Sequence, residues 1–509
     1  MRTILKLSIT LTVIMLLLFT QGCNKDDNPT NPGDENPNVT IVAFSVSPSA
    51  VPVQGDSVTV SWEVTGATSV IITPNIGTVA TPASGSVKVF VNSTTSFIIN
   101  ASNAANSASA TAMVNAASST TINGFAKDFA GEPIAGAAIL VDGKQAVTTS
   151  SDGSFTVQDV LTPYNITMIL GNDKLAVKYM QVTKTNPTLL YVEGFTGSNN
   201  SATITGSVPS ASGKVTRVFF VSGDKSWYAT ASQSNGNFTI NARWNGSTVS
   251  YSGKLYVLRW TNGSNGLPSE YDAYGEKTLT ISNGGTFSNN NFSSGELTDP
   301  ADNNITGTVI KPSSNYNISN RALSINFGNS STYIGSESGS LSENLSFTVP
   351  NIAGASFGIE ATASDNNKRS TAYKQNISGG TNGVSIPIEM PPQLSLPVDN
   401  ASGVDTSTTF LYNQGTGSGV NLVQIVGSSS SYPDYFVFTK SNSVTIPNLS
   451  SQGLGLPSNG DYSWQVLQIS PLNSVDDAAS ESFISLINKN SGDVGAGVSE
   501  DYDFRTKSN

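Results

Sequence analysis

Hydrophobic side chains recur at every second position through most of this chain, in short runs that break at Gly, Pro, Asn and Ser. Between residues 39 and 117 the alternation is regular: Val58, Val60 and Trp62, then Val70 and Ile72, then Val87, Val89 and Val91, then Phe97 and Ile99. A period of two puts such residues on one face of an extended strand. About seven short strands in about 80 residues make a two-sheet sandwich. The same pattern, with no helical stripe, continues through the rest of the 509 residues, so the folded part is predicted to be all-β, a tandem of sandwiches. Two segments near the start differ. Leu7 to Thr20 is an uncharged, mostly apolar run of fourteen residues, and residues 24–38 are Asp-, Asn-, Pro- and Gly-rich with almost nothing to bury. The latter reads as a disordered tether.

Within the folded part, several stretches carry resemblances. Trp62, in Ser57-Val58-Thr59-Val60-Ser61-Trp62, stands where bacterial immunoglobulin-like domains carry a buried core tryptophan. Next come Ile122-Asn123-Gly124-Phe125-Ala126-Lys127-Asp128, Gly131-Glu132-Pro133-Ile134-Ala135-Gly136-Ala137, Val141-Asp142-Gly143 and Thr149-Ser150-Ser151-Asp152-Gly153-Ser154-Phe155-Thr156-Val157. Gly131 to Pro133 supply a turn, Ala137 to Val141 an inward-facing strand, and Asp152-Gly153 a tight hairpin. This module closely resembles the carboxypeptidase regulatory-like domain, a transthyretin-type seven-stranded sandwich. The resemblance implies an accessory β-module, not proteolysis.

The module recurs in degenerate form. Its opening Ile-Asn-Gly returns as Ile204-Thr205-Gly206 and Ile305-Thr306-Gly307, and its closing Ser154-Phe155-Thr156-Val157 as Asn237-Phe238-Thr239-Ile240 and Ser346-Phe347-Thr348-Val349. Opening glycine and closing phenylalanine lie 31, 32 and 40 positions apart, so copies two and three are enlarged by loops. After Pro391-Pro392, the runs Leu456-Pro457 and Gly460-Asp461-Tyr462-Ser463-Trp464-Gln465-Val466 resemble a fibronectin type III-like sandwich, with Trp464 in phase with Tyr462 and Val466 on the buried face. The predicted organisation is a signal peptide over 1–22, the tether over 23–38, an immunoglobulin-like sandwich over 39–117 and the regulatory-like sandwich over 118–197. Two degenerate copies over 198–298 and 299–390 follow, then the fibronectin-like sandwich over 391–509. The fold class is thus tandem immunoglobulin-like and transthyretin-like sandwiches after a signal peptide and flexible tether.

Composition narrows the chemistry. Charged residues make up only 12% of the chain, and loss of Arg2 and Lys6 with the leader takes the basic count from 25 to 23 against 36 acidic residues, a net charge of −13. Such a surface repels phosphate backbones, so no nucleic-acid partner is expected. Histidine is absent. Ser-His-Asp and Cys-His nucleophiles, His-ligated zinc and imidazole acid–base catalysis are therefore excluded. Asp-rich turns at Asp26-Asp27, Asp299 to Asp302 and Asp476-Asp477 lack the spacing of a calcium loop and read as solvated surface. Neither a catalytic site, a metal site nor a cofactor is expected, and short loops on small sandwiches favour a non-enzyme.

The one cysteine, Cys23, cannot pair within the chain. Arg2 and Lys6 precede the apolar run, which is too short to span a bilayer of ~30 Å. Leu18-Phe19-Thr20-Gln21-Gly22-Cys23 resembles a bacterial lipobox, although Thr20 and Gln21 depart from its usual residues. The resemblance implies lipidation of Cys23. Lys25, Asp26 and Asp27 look like the export signal that follows that cysteine in surface-exposed lipoproteins of the Bacteroidota. The implied location is the bacterial outer membrane, held through a lipid anchor and facing outside the cell.

Aromatic residues concentrate in the second copy: Phe219, Phe220, Trp227, Tyr228, Trp244, Tyr251, Tyr256, Trp260, Tyr271 and Tyr274. One sandwich core needs few large rings, and planar rings beside Asn and Gly loops suit a sugar-binding face. Trp227, Tyr228, Trp244 and Trp260 are the ligand-binding candidates. In the competing arrangement Trp244 and Trp260 pack in the core or between modules and only Trp227-Tyr228 stand at a loop tip. The functional expectation is a non-catalytic, lipid-anchored surface protein that binds a glycan or another surface protein. Its alternative is a structural stalk or assembly component with no ligand pocket.

Overall fold

The structure, a computed structural model, describes residues 38–192, 199–489 and 491–508. The chain divides into two compact units, Met1–Ser118 and Ser119–Asn509. The described part of the first is a single sandwich. Strands Thr40–Ser47, Asp56–Thr65 and Ser84–Val91 form one sheet; Ala50–Val51, Ser107–Ala116, Thr95–Ser102, Ser69–Thr73 and Gly77–Thr78 form the other, in that order. Val58, Val60, Val70, Ile72, Phe97 and Ile99 meet between them, as their alternation requires. Trp62 is buried and its indole donates to the Thr81 carbonyl at 3.1 Å. Its cross-strand partner is Gly85, where any Cβ would collide with the ring.

The second unit contains three sandwiches of the same topology. In the first copy, strands Thr120–Lys127, Ala138–Val141, Val147–Thr148, Ser154–Val160, Tyr164–Leu170, Leu175–Val182 and Thr188–Leu190 arrange as fourth–first–seventh and third–second–fifth–sixth. The seven strands from Asn199–Ser207 to Thr286–Phe287 and the seven from Asp302–Ile310 to Val384–Pro387 repeat that order, and first and seventh strands pair parallel each time. The recurring glycine and phenylalanine have a physical role. Gly124 lies opposite Phe155 and Gly206 opposite Phe238, so each ring lies across a strand where a Cβ would strike it. In the third copy Phe347 faces Ile305 instead, and Gly307 admits the backbone of Val384. The longer spacing there comes from the long hairpin Asn317–Phe327 and Ser330–Leu341.

The last sandwich sets Gln393–Leu396, Thr409–Asn413 and Ser443–Thr445 against Asp434–Thr439, Val420–Gly427 and Asp461–Ser470. Its final strand runs in two pieces, Val494–Val498 and Tyr502–Thr506, both paired with Asp461–Ser470. Trp464 is fully buried, with Phe410 edge-on at 5.1 Å. Two short helices, Val475–Ala478 and Glu481–Ile487, are inserted before that final strand. They cover the outer face of the sheet, where Phe483 meets Phe438 at 5.9 Å and Phe438 stacks on Tyr179 at 4.7 Å. Asp476 and Asp477 are consumed here. Asp476 accepts the Thr183 and Lys184 amides, and Asp477 those of Asn473 and Ser474.

The sandwiches of this unit are tandem in sequence but joined in space. Leu175–Val182 of the first copy pairs parallel with Asp434–Thr439 of the last sandwich, and Lys368–Ile377 of the third copy pairs antiparallel with Val494–Val498. Three sandwiches thereby share one 14-stranded sheet. The second copy stays outside it but packs onto the third copy through Phe219, Val221, Tyr256, Leu258 and Trp260, with Tyr256 stacked on Phe327 at 4.0 Å. It also meets the first copy, where the Ser247 amide donates to Glu132 at 3.2 Å. The four sandwiches close into a ring. Alternation reports that a face is buried, but not which module covers it.

Ala496 sits mid-strand between Ile469 and Thr371, where proline removes a ladder donor worth ~1–3 kcal/mol. Ala496→Pro is expected to lower the unfolding temperature and to split one calorimetric transition into two. A single unchanged transition would contradict a shared sheet.

Candidate functional site

The aromatic cluster of the second copy divides between two faces of one sheet. Val218, Phe220, Leu255 and Val257 point into the sandwich's own core, whereas Phe219, Tyr256, Leu258 and Trp260 point at the third copy. Both faces are covered, which explains the unbroken apolar run from Val218 to Val221. Trp260 is 2% exposed, donates to Asn262 Oδ1 at 2.8 Å and lies 5.4 Å below the Arg217 guanidinium. Trp244 is 6% exposed, edge-on to Tyr251 at 5.3 Å, and donates to the Thr248 carbonyl at 2.7 Å. Neither offers a ring face to solvent. The assignment of Trp260 to a ligand face is corrected: it is interface packing.

Trp227 and Tyr228 lie on the strand Lys225–Thr230, not at a loop tip, and consecutive strand residues face opposite ways. Trp227 is half-buried, stacked on Phe220 at 5.9 Å, with its indole donating to the Arg243 carbonyl at 2.8 Å. Tyr228 is 47% exposed beneath Arg217, whose guanidinium is 4.7 Å from its ring. Burial lowers the Arg217 pKa, against the opposing pull of Tyr228, Tyr333 and Tyr271. Its Nη1 donates to the Tyr333 and Ile334 carbonyls at 2.7 and 3.0 Å, locking the second copy to the third. The three tryptophans therefore do not form one coplanar platform.

What the fold brings together instead is a cleft of about 540 Å³ where all four sandwiches of the ring meet. The second copy contributes Trp227, an edge of Trp244, Lys225, Arg243 and Asn245. The first contributes Phe129, the third Ser331 and the last Asn488, just beyond the helix Glu481–Ile487. The Asn488 amide donates to the Phe129 carbonyl at 3.2 Å, and Ser226 Oγ to the Ser331 carbonyl at 3.4 Å, so the walls are tied across modules. Lys127 and Glu481 add an ion pair. An apolar cleft of about 460 Å³, lined by Leu190, Leu422, Phe438 and Phe483, adjoins it and shares Phe129 and Asn488. Sequence reasoning found Trp227 and Trp244 but missed Ser331 and Asn488. No local motif marks either, because they line the cleft only together with residues from other modules.

A further cleft, about 580 Å³, lies on the last sandwich and is lined by Asp461, Asp501 and Asp503. Asp461 is held below the usual carboxylate range by Arg505, which grips it at 2.7 and 3.1 Å. Burial, then the neighbouring Asp503 carboxylate, push Asp501 upward. Cys23, Lys25, Asp26 and Asp27 lie outside the described residues.

Removing Trp260 leaves a cavity at the interface and should cost ~3–5 kcal/mol. Trp260→Ala is expected to destabilise the unit far more than Arg243→Ala, whose side chain is exposed. Chemical denaturation of both variants checks this; equal losses would argue against an interface role for Trp260.

No protein-family model matches the sequence, and no curated protein matches it. Among solved structures the chain is similar to the Bacillus anthracis TIE protein, at 12% identity over 70% of this chain and 75% of that one, with a TM-score of 0.16. It is also similar to the pilus adhesin SpaC from Lactobacillus rhamnosus GG, at 8% identity over 68% and 46%, TM-score 0.14. A third similarity is to two B repeat units of the collagen binding protein of Staphylococcus aureus, at 10% identity over 69% and 94%, TM-score 0.12. The assignment of this chain as an all-β tandem of sandwiches rests on its own sheets.

Proposed function

We propose that this is a non-catalytic binding protein of the bacterial cell surface, anchored in the outer membrane by a lipid on Cys23, and that the four-sandwich cleft takes a carbohydrate. The observation that carries the reading is the cleft itself. Its volume falls in the range of ~300–1,000 Å³ typical of ligand sites. It combines a half-buried indole with a small set of polar groups, Arg243, Asn245 and the ion pair of Lys225 with Asp224, and a ring flanked by hydrogen-bonding groups suits a sugar. Ring closure disfavours the stalk alternative, because a spacer gains length from modules joined end to end, and these four fold back on one another. The carboxylates on the last sandwich do not favour catalysis, since Asp461 is committed to Arg505.

The anchor is tested by metabolic labelling with a fatty-acid analogue. Cys23→Ser is expected to lose the label and leave the membrane fraction, and alanine at Lys25, Asp26 and Asp27 to abolish protease access on intact cells. Retention of label in the serine variant would exclude lipidation there. The ligand is tested by glycan array and polysaccharide pull-down with the chain from Asn24 onward. Arg243→Ala and Trp227→Ala are each expected to weaken capture about tenfold, a loss of ~1.4 kcal/mol. Absence of any captured glycan, or unchanged capture by both variants, would sink the carbohydrate reading.

A further inference from the structure

A second cleft, of about 350 Å³, adjoins the first and shares Ser331 and Asn488 with it. It lies on the outer face of the third copy's larger sheet, and cross-strand register accounts for its lining. Ser324 is paired with Tyr333 and Gly358, Ala322 with Glu360, and Glu360 with Tyr373, so their side chains share one face. Tyr373 forms the floor. It is 4% exposed, and its hydroxyl bonds Ser331 at 3.0 Å and Ser324 at 3.3 Å. Gly358 makes room for it, because a Cβ there would collide with the phenol. Tyr333 is 42% exposed, with its hydroxyl 2.9 Å from Ser336. Lys489 stands 5.1 Å over the Tyr373 ring and is paired with Glu360.

This lining discriminates among ligand classes. The two charges in it, Glu360 and Lys489, neutralise each other, so it has no net attraction for an anion or a cation. Polar and apolar surface are balanced in it, as on a sugar ring, whereas the neighbouring cleft is mostly apolar and better suited to a lipid chain. A peptide adding to the edge strand Ser330–Leu341 is blocked, because Arg217 and Ser226 of the second copy already occupy its carbonyls at Ser331, Tyr333 and Ile334. An exposed phenol ring among alternating donors and acceptors fits an uncharged polyhydroxylated ring.

We infer that the two clefts are consecutive subsites for one uncharged oligosaccharide, with Trp227 and Tyr333 each stacking on a sugar ring and Ser331 and Asn488 at the step between them. This rests on the carbohydrate reading of the first cleft and adds chain length as the determinant of affinity. Occupying both clefts makes the second contact intramolecular, so a longer chain binds more tightly than a disaccharide.

The test is calorimetric titration of the chain from Asn24 onward with malto-, cello- and xylo-oligosaccharides of two to six units. In the series that binds, affinity is expected to rise with length. Tyr333→Ala should weaken the six-unit ligand about tenfold and leave the two-unit ligand unchanged. Tyr333→Phe, which keeps the ring, should bind as the parent does, and Trp227→Ala should weaken both lengths. Binding that depends on Trp227 but is indifferent to length and to Tyr333 overturns the two-subsite inference and leaves the first cleft standing. No binding in any series overturns both.

Discussion

Backbone groups at a sheet edge set the architecture of the large unit. A strand at the edge of a sheet presents a row of unpaired N–H and C=O groups, and a sandwich has such edges on both of its sheets. Here the edge strand Leu175–Val182 is paired with Asp434–Thr439, and Lys368–Ile377 with Val494–Val498, so four edges disappear into two seams. The seams are backbone hydrogen bonds and demand little of the side chains beyond β-compatibility. They also set the order of everything that follows, because the last sandwich can bridge the first and third copies only if the second copy folds back between them.

That folded-back position explains the aromatic wealth of the second copy. Its larger sheet has a core on one face and a neighbouring sandwich on the other, so both phases of the alternation must be apolar: Val218 and Phe220 serve one side, Phe219 and Val221 the other. Rings fill the interface because they bury large areas with few rotatable bonds. Arg217 reaches across it, with its guanidinium between the rings of Tyr228, Trp260 and Tyr333, while burial pulls its pKa down and the phenols oppose that pull. The tryptophan count was thus a signal of packing, with Trp260 in the interface and Trp244 in the core. Trp227 is half-buried at the cleft where four sandwiches meet.

The inserted helices show how a small departure from the repeating pattern closes the ring. Val475–Ala478 and Glu481–Ile487 cover the apolar outer face that the last sandwich would otherwise expose, and Asp476 ties them to the backbone at Thr183 and Lys184. Read along the chain, Asp476-Asp477 looked like solvated surface. In the fold they satisfy backbone amides that no strand supplies. Asn488, one residue past the second helix, is carried by this insertion to the centre of the clefts.

The amino-acid sequence by itself determined the local facts: all-β structure, the sandwich modules, the buried phase of Trp62 and Trp464, and the repeat whose glycine and phenylalanine prove to be cross-strand partners in two of three copies. These are legible because period-two alternation and turn residues act within a few positions of each other. Absence of histidine likewise excluded whole classes of chemistry without any coordinates. The ring, its shared sheet and the clefts were decided only by tertiary structure. Edge pairing uses backbone groups that every residue carries, so no side-chain pattern announces which edges will join. Residues such as Ser331 and Asn488 come to line a cleft only because other modules of the chain fold against them.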